Sequence, residues 1–170
     1  KFAQEKTGLV VYLGGSITHN PGWTQLVDAE LERRFPETKF TFVHAGIPSI
    51  DSSGHAFRFQ RDVLEKGVPD LLFVEAAVND LHNSRSPVEQ IRGMEGVVRR
   101  ARRANPVGAL LASQSAETVR RHRLDAEEAV GQPLAAAELR RQAQFDVAAA
   151  AGQQQLVIWV LEHQRWLERA

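Results

Sequence analysis

The chain has no cysteine, which excludes disulfides, thiolate catalysis and cysteine-ligated zinc while leaving the compartment open. It has no net charge either. Lys+Arg and Asp+Glu both number 21, so no bulk field recruits nucleic acid or acidic lipid. The longest apolar run, Leu156-Val157-Ile158-Trp159-Val160-Leu161, falls far short of the roughly 20 residues of a membrane span. Lysine is missing after Lys66, while arginine clusters at Arg99-Arg100-Ala101-Arg102-Arg103 and Arg120-Arg121-His122-Arg123. These clusters read as solvated helix faces rather than a phosphate-binding patch. Neither Gly-x-Gly-x-x-Gly nor Gly-Lys-Ser/Thr occurs, so a nucleotide-binding domain built on Gly14-Gly15-Ser16 is disfavoured. The chain begins at Lys1 without a methionine or an apolar signal core, which fits a mature form or an excised domain.

What is present fits one soluble domain. With 170 residues, 43% hydrophobic and 25% charged, the chain is long enough to bury a sizeable core. Leu9 to Leu13, Phe40 to Val43 and Leu71 to Val74 are short apolar, β-branched or aromatic runs, and Val107 to Ala112 is a candidate fourth strand. Between them lie helical patterns. Trp23, Leu26, Val27 and Leu31 share one predicted face, with Pro21 near the helix start, where its missing N–H has no partner to lose. Ala56, Phe57, Gln60, Val63 and Leu64 mark a second helix, ended by Gly67 and Pro69. Ser86-Pro87-Val88-Glu89 has capping-box spacing and opens a third, whose stripe is Ile91, Met94, Val98 and Ala101 and whose end is Asn105-Pro106.

This alternation predicts an α/β fold with parallel strands, right-handed crossovers and helices on both faces. From Ser113 to Ala151 the composition turns to Ala, Arg, Gln and Glu, read as two helices broken near Gly131-Gln132-Pro133. Leu156 to Leu161 reads equally as a fifth strand or as the start of a terminal helix. The whole, 1–170, is expected to be one domain whose part 107–170 is divergent or incomplete.

Three stretches follow apolar runs: Gly14-Gly15-Ser16-Ile17-Thr18, Ala45-Gly46-Ile47-Pro48-Ser49 and Ala77-Val78-Asn79-Asp80. In parallel sheets ligands bind outside the carboxyl ends of strands, so all three are expected at one edge. A serine in a Gly-Gly turn is approachable by substrate but needs a base to become a nucleophile. An asparagine amide and a backbone N–H can face a developing oxyanion. The bland alternatives are an ordinary turn at Ser16, local Asx-turn chemistry at Asn79 and a rigid connection from His44 to Gly54. Asp80 is assigned to fixing its loop. Trp23, Phe57 and His82 are candidates for the acceptor side, and His19, His55 and His82 for the mouth of the site. The histidines are scattered singly, so no metal is expected.

With their flanks, from Val10 to Thr18, Val43 to Ser49 and Pro69 to Asp80, these stretches resemble the first three conserved blocks of the SGNH (GDSL-like) hydrolase family. The resemblance covers about residues 8–106. It implies a flavodoxin-like three-layer α/β/α sandwich and ester hydrolysis without a cofactor. Ser16 matches the nucleophile and Asn79 the oxyanion asparagine. The glycine completing the second block falls at Ser49 or, alternatively, Gly46, and Ser49 supplies the backbone N–H. Ala77 replaces a glycine often found before the Val-Asn-Asp segment.

The implied partner is a small-molecule or carbohydrate ester, with O-acetyl groups on carbohydrate as the family-level expectation. Oligomeric state and compartment stay open. The family's late Asp-x-x-His block, which carries the base, occurs nowhere in the chain. Three explanations compete: the chain stops before that block, the region after Pro106 has been replaced, or another histidine serves. His163 is the nearest substitute; His122 and Asp125 stand in the wrong order for the block. A non-catalytic binding or scaffold domain on the same fold is the alternative function.

Overall fold

The computed structural model describes residues 1–115 and 156–161, with side chains described through residue 112. A short helix α1 (Phe2–Glu5) leads into β1 (Thr7–Gly14), α2 (Ser16–His19), α3 (Trp23–Arg34) and β2 (Lys39–Gly46). Then come α4 (Ser52–Asp62), a 3-10 turn (Leu64–Lys66), β3 (Leu71–Glu75), α5 (Ala77–His82), α6 (Pro87–Ala104), β4 (Ala109–Ser115) and β5 (Leu156–Leu161). The strands form one sheet in the order β2-β1-β3-β4-β5. The first four are parallel, and β5 closes the sheet antiparallel to β4.

Strand periodicity builds the layers, because alternate side chains point to opposite faces. Val11 and Leu13 of β1 with Leu72 and Val74 of β3 face α4 and α6, where Phe59, Val63, Met94 and Val97 complete the larger core. Val10, Tyr12 and Leu71 face the other way, onto Phe2 of α1 and onto Trp23, Val27 and Leu31 of α3. The result is the three-layer α/β/α sandwich expected from the strand–helix alternation. Among the described residues, no helix is long and apolar enough to cross a membrane.

The helices sit where expected, and Trp23, Val27 and Leu31 of α3 and Met94, Val98 and Ala101 of α6 pack inward as predicted, but single positions differ. Leu26 of α3 is 73% exposed and Phe57 of α4 is 86% exposed. Inward positions are instead held by polar groups: Thr24 in α3, Ser52, His55 and Arg58 in α4, Gln90 in α6. The buried stripe of α6 is Gln90, Gly93, Met94 and Val97, with Val98 and Ala101 packed beside it. Its start is as expected: the Ser86–Glu89 capping box forms, with Pro87 as the first helical residue. Pro21, by contrast, lies outside α3, whose N-cap is Gly22. Ser113 to Ser115 belong to β4 rather than to a helix, and Leu156 to Leu161 form a strand. The helices expected between 116 and 151 lie outside the described residues.

Close contact of α4 and α6 depends on Gly93. A Cβ placed there would stand 2.4 Å from Ser52 Oγ and 2.6 Å from the Ser53 backbone nitrogen. Alanine gains about 1 kcal/mol of helix propensity over glycine, but overpacking against backbone costs about 1–3 kcal/mol. Gly93→Ala is therefore expected to destabilise by up to about 2 kcal/mol net, read as a lower urea midpoint with an unchanged slope.

Candidate active site

Chain order reverses direction between β1 and β3: after β1 the chain goes to β2 on one side, then crosses to β3 on the other. Crevices at such switch points, beyond the carboxyl ends of the strands, are where open α/β sheets bind ligands. The first stretch leaves β1 there and the third leaves β3.

Ser16 is the first residue of α2, half-buried, one residue past the bend at Gly14-Gly15. The bend is held by Glu75 at the end of β3, whose Oε2 accepts the Gly15 N–H at 3.2 Å. A Cβ on Gly15 would stand 1.9 Å from Asn79 Nδ2, so only glycine lets the Asn79 carboxamide press on the serine turn. Asn79 lies in the first turn of α5 rather than in an Asx-turn, and it is 7% exposed. Its side chain makes no hydrogen bond among the described residues, yet neither amide atom is sealed from solvent. A primary amide in that state has its donors to offer.

The second stretch reaches the same edge. Ile47 N–H donates to Gly14 O at 2.9 Å, and a Cβ on Gly46 would stand 2.3 Å from the His19 backbone nitrogen of α2. Ser49 is exposed, with a left-handed φ of 63°. Of the two positions that align with the family glycine, Ser49 is the one that adopts glycine's conformation, at a cost of roughly 1–2 kcal/mol for a residue with a Cβ. Its carbonyl accepts Asn83 Nδ2 at 3.1 Å. Its N–H has no partner among the described residues.

Asp80 is 3% exposed, and its Oδ1 accepts the Ser52 N–H at 2.9 Å. This ties α5 to the start of α4, the loop-fixing role expected of it. Burial raises its pKa, against the Ser52 N–H, which lowers it. Beside it Asp51 caps α4, accepting the Gly54 N–H at 2.9 Å and Arg85 Nε at 2.7 Å. Burial alone would raise the Asp51 pKa, but the Gly54 N–H, Arg85 and Asn83 together hold it low.

One of the three histidines expected at the mouth is corrected by the fold. His55 is not at the mouth of the site: it is fully buried under the sheet edge. Its Nε2 donates to Glu75 O at 2.9 Å, and Nδ1 accepts from Arg58 Nε at 3.3 Å, a pair of bonds only the neutral ring can make. His19 is exposed at the end of α2, where Nδ1 donates to Gly46 O at 3.0 Å. His82 is exposed at the end of α5. Trp23 packs edge-on against Tyr12 and Phe73 in the second core, and Phe57 points to solvent from the middle of α4. No described histidine hydrogen-bonds Ser16, and no described cluster of three or more His, Asp or Glu could hold a metal. His122, Asp125 and His163 lie outside the described residues.

Burial, then the charge of Arg58, lowers the pKa of His55 from 6.5 to about 4. Between those values the unfolded chain binds the extra proton and the folded chain does not, so stability falls as pH drops through that window. The full loss is about 3 kcal/mol. Thermal melts from pH 7 to 4 are expected to show it, with a flatter profile in His55→Gln.

Sequence reading missed Glu75, Arg58, Asn83 and Arg85. A carboxylate closing an apolar strand and an arginine between apolar helix positions were the available signals, since such charges are rarely buried without a partner.

The structure is thus a three-layer α/β/α sandwich with a serine turn and an asparagine at its switch point and, among the described residues, a loop N–H without a partner nearby. Comparison with solved structures makes this specific. The chain is similar to a two-domain esterase active on acetylated mannans, at 28% identity and TM-score 0.56, over 62% of this chain and 29% of that one. It is similar to TesA at 21% identity and TM-score 0.55, over 61% of this chain and 58% of that one. It also matches AlinE4, an SGNH-hydrolase family esterase, at 20% identity and TM-score 0.51, over 61% and 58%. The fold is that of the SGNH-hydrolase esterases, as the three sequence blocks imply. The matched part spans less than two thirds of each of these proteins. No protein-family model and no curated protein matches the chain.

Proposed function

We propose that this chain is a serine esterase domain acting on small acyl esters, with O-acetyl groups on carbohydrate as the favoured substrate class. Ser16 Oγ attacks the ester carbonyl. The negative charge that develops on the carbonyl oxygen is met by Asn79 Nδ2–H and the Ser49 N–H. The alcohol leaves with the serine proton, and water then cleaves the acyl-serine to release the acid. The observation that carries this reading is the Asn79 amide, without a hydrogen-bond partner among the described residues and pressed against Gly15 at the serine turn. Each such donor is worth about 3–4 kcal/mol in an acyl-transfer transition state. The carbohydrate assignment is supported by the esterase active on acetylated mannans, 28% identical over the matched part.

No described histidine hydrogen-bonds Ser16, and His163, which lies outside the described residues, is the first base to test. The missing Asp-x-x-His favours a second reading, a binding or scaffold domain with a vestigial site. A fluorophosphonate, which reacts only with an activated serine, separates the two. Labelling that maps to Ser16, with turnover of a chromogenic acetyl ester, supports the esterase. An unlabelled Ser16 and background rates give the binding-domain reading the lead.

A further inference from the structure

One side-chain pair on α4 reaches the carboxyl ends of all three strands that carry the candidate site. Arg58 Nη2 donates to Gly14 O of β1 at 3.2 Å and to Ala45 O of β2 at 2.5 Å. One turn earlier on the same helix, His55 Nε2 donates to Glu75 O of β3 at 2.9 Å. The two side chains are joined by the bond from Arg58 Nε to His55 Nδ1, and Arg58 Nη1 is fixed from behind by Asp62 Oδ2 at 2.8 Å. Both are inside, with Arg58 8% and His55 0% exposed.

The three carbonyls stand two residues before Ser16, four before Ser49 and four before Asn79. Gly14 O is itself shared, because it also accepts the Ile47 N–H of the second stretch at 2.9 Å. No other described side chain bonds the main chain of both β1 and β2 at this edge. A hydrophobic residue at 58 would fill the space and hold none of these carbonyls.

We infer that Arg58, braced by His55, is a positioning residue that sets the relative placement of the serine turn, the Ser49 loop and Asn79. This rests on the esterase reading for its functional meaning, while the clip itself does not. The forked guanidinium is what lets one side chain hold two carbonyls in a fixed geometry, which a lysine ammonium on a flexible stem does not reproduce. The expectation is therefore that charge alone is not enough at this position.

The test compares Arg58→Lys with Val97→Ala, which weakens the core on α6 away from these carbonyls, both at a temperature where each is fully folded by circular dichroism. In Arg58→Lys, backbone amide hydrogen exchange at Ile47 and Gly15 is expected to speed up about tenfold beyond the change in global stability. The kcat for a chromogenic acetyl ester should fall about 10–100-fold with KM within about twofold, as when a transition-state interaction alone is lost. Val97→Ala should change neither. Local exchange in Arg58→Lys that tracks only global stability overturns the inference, whatever the activity. Accelerated local exchange in a chain whose wild type is inert sustains the clip and overturns the esterase reading instead. A kcat that matches Val97→Ala, with an active wild type, overturns the catalytic consequence.

Discussion

Ser16→Ala is expected to reduce hydrolysis of a chromogenic acetyl ester by at least about 10³-fold, with little change in stability. The nucleophile has no substitute in a covalent route. Ser16 is half-buried and its hydroxyl makes no hydrogen bond among the described residues, so its removal orphans nothing. Asn79→Ala should lose about 10²–10³-fold, the usual effect of deleting one oxyanion donor, with kcat falling and KM nearly constant. Asn79→Asp should be worse than alanine, because a carboxylate at that point meets the developing oxyanion with like charge. The order of rates, wild type above Asn79→Ala above Ser16→Ala, is the signature of the proposed mechanism. Equal losses in the two alanine variants with no change in melting would argue that Asn79 does more than stabilise an oxyanion. No loss in Ser16→Ala would remove the nucleophile assignment altogether.

Much of this fold is legible in the sequence because the strands are. The runs ending at Leu13, Val43 and Val74 lie inside β1, β2 and β3; β1 and β3 are buried on both faces and need no phase to be recognised, while β2 at the sheet edge shows through its aromatic and β-branched residues. The helices are harder. Apolar spacing predicts their faces, but α4 buries Ser52, His55 and Arg58 and leaves Phe57 in water. Each buried polar group there has a partner in another element: Ser52 N–H on Asp80, His55 on Glu75 O, Arg58 on Gly14 O and Ala45 O. Hydropathy cannot see partners that are 13 to 44 residues away. The same limit explains His55. It lies four residues past Asp51, the N-cap of α4, and so already runs beneath the sheet edge.

The candidate site was legible for a different reason. Gly15, Ser16 and Asn79 are spaced by chain order, and the switch in strand order converts that spacing into adjacency. The direction of β5 was not legible, since the apolar run Leu156 to Leu161 fits either sense. Pairing with β4, as Leu110 opposite Leu161 and Ser113 opposite Ile158, decides it. That pairing also draws Ser113 to Ser115, whose polar side chains carry no strand signal of their own, into β4.

Arg58→Leu is expected to lower folding stability by about 3–5 kcal/mol, the range for breaking a buried charged network from one side. Leucine fills much of the volume, so the loss comes from hydrogen bonds rather than from a cavity. Ala45 O loses its charged donor, Gly14 O keeps only the Ile47 N–H, and His55 Nδ1 is left without a donor. A buried acceptor stripped of its partner costs about 1–3 kcal/mol; His55 Nδ1 is stripped in this way, and two strand-end carbonyls lose a charge-assisted bond. Asp62 does not add to the bill, because Arg61, the larger cause of its pKa being lowered to about 2, still binds it. For a chain of this size the midpoint should fall by roughly 6–20 °C. His55→Phe in the same background then discriminates between network and volume. If the network is what matters, the double variant loses less than the sum of the singles, since the second change removes an acceptor already orphaned. Strict additivity would mean that Arg58 and His55 stabilise the sheet edge independently, and that the three strand ends are held separately rather than as one unit.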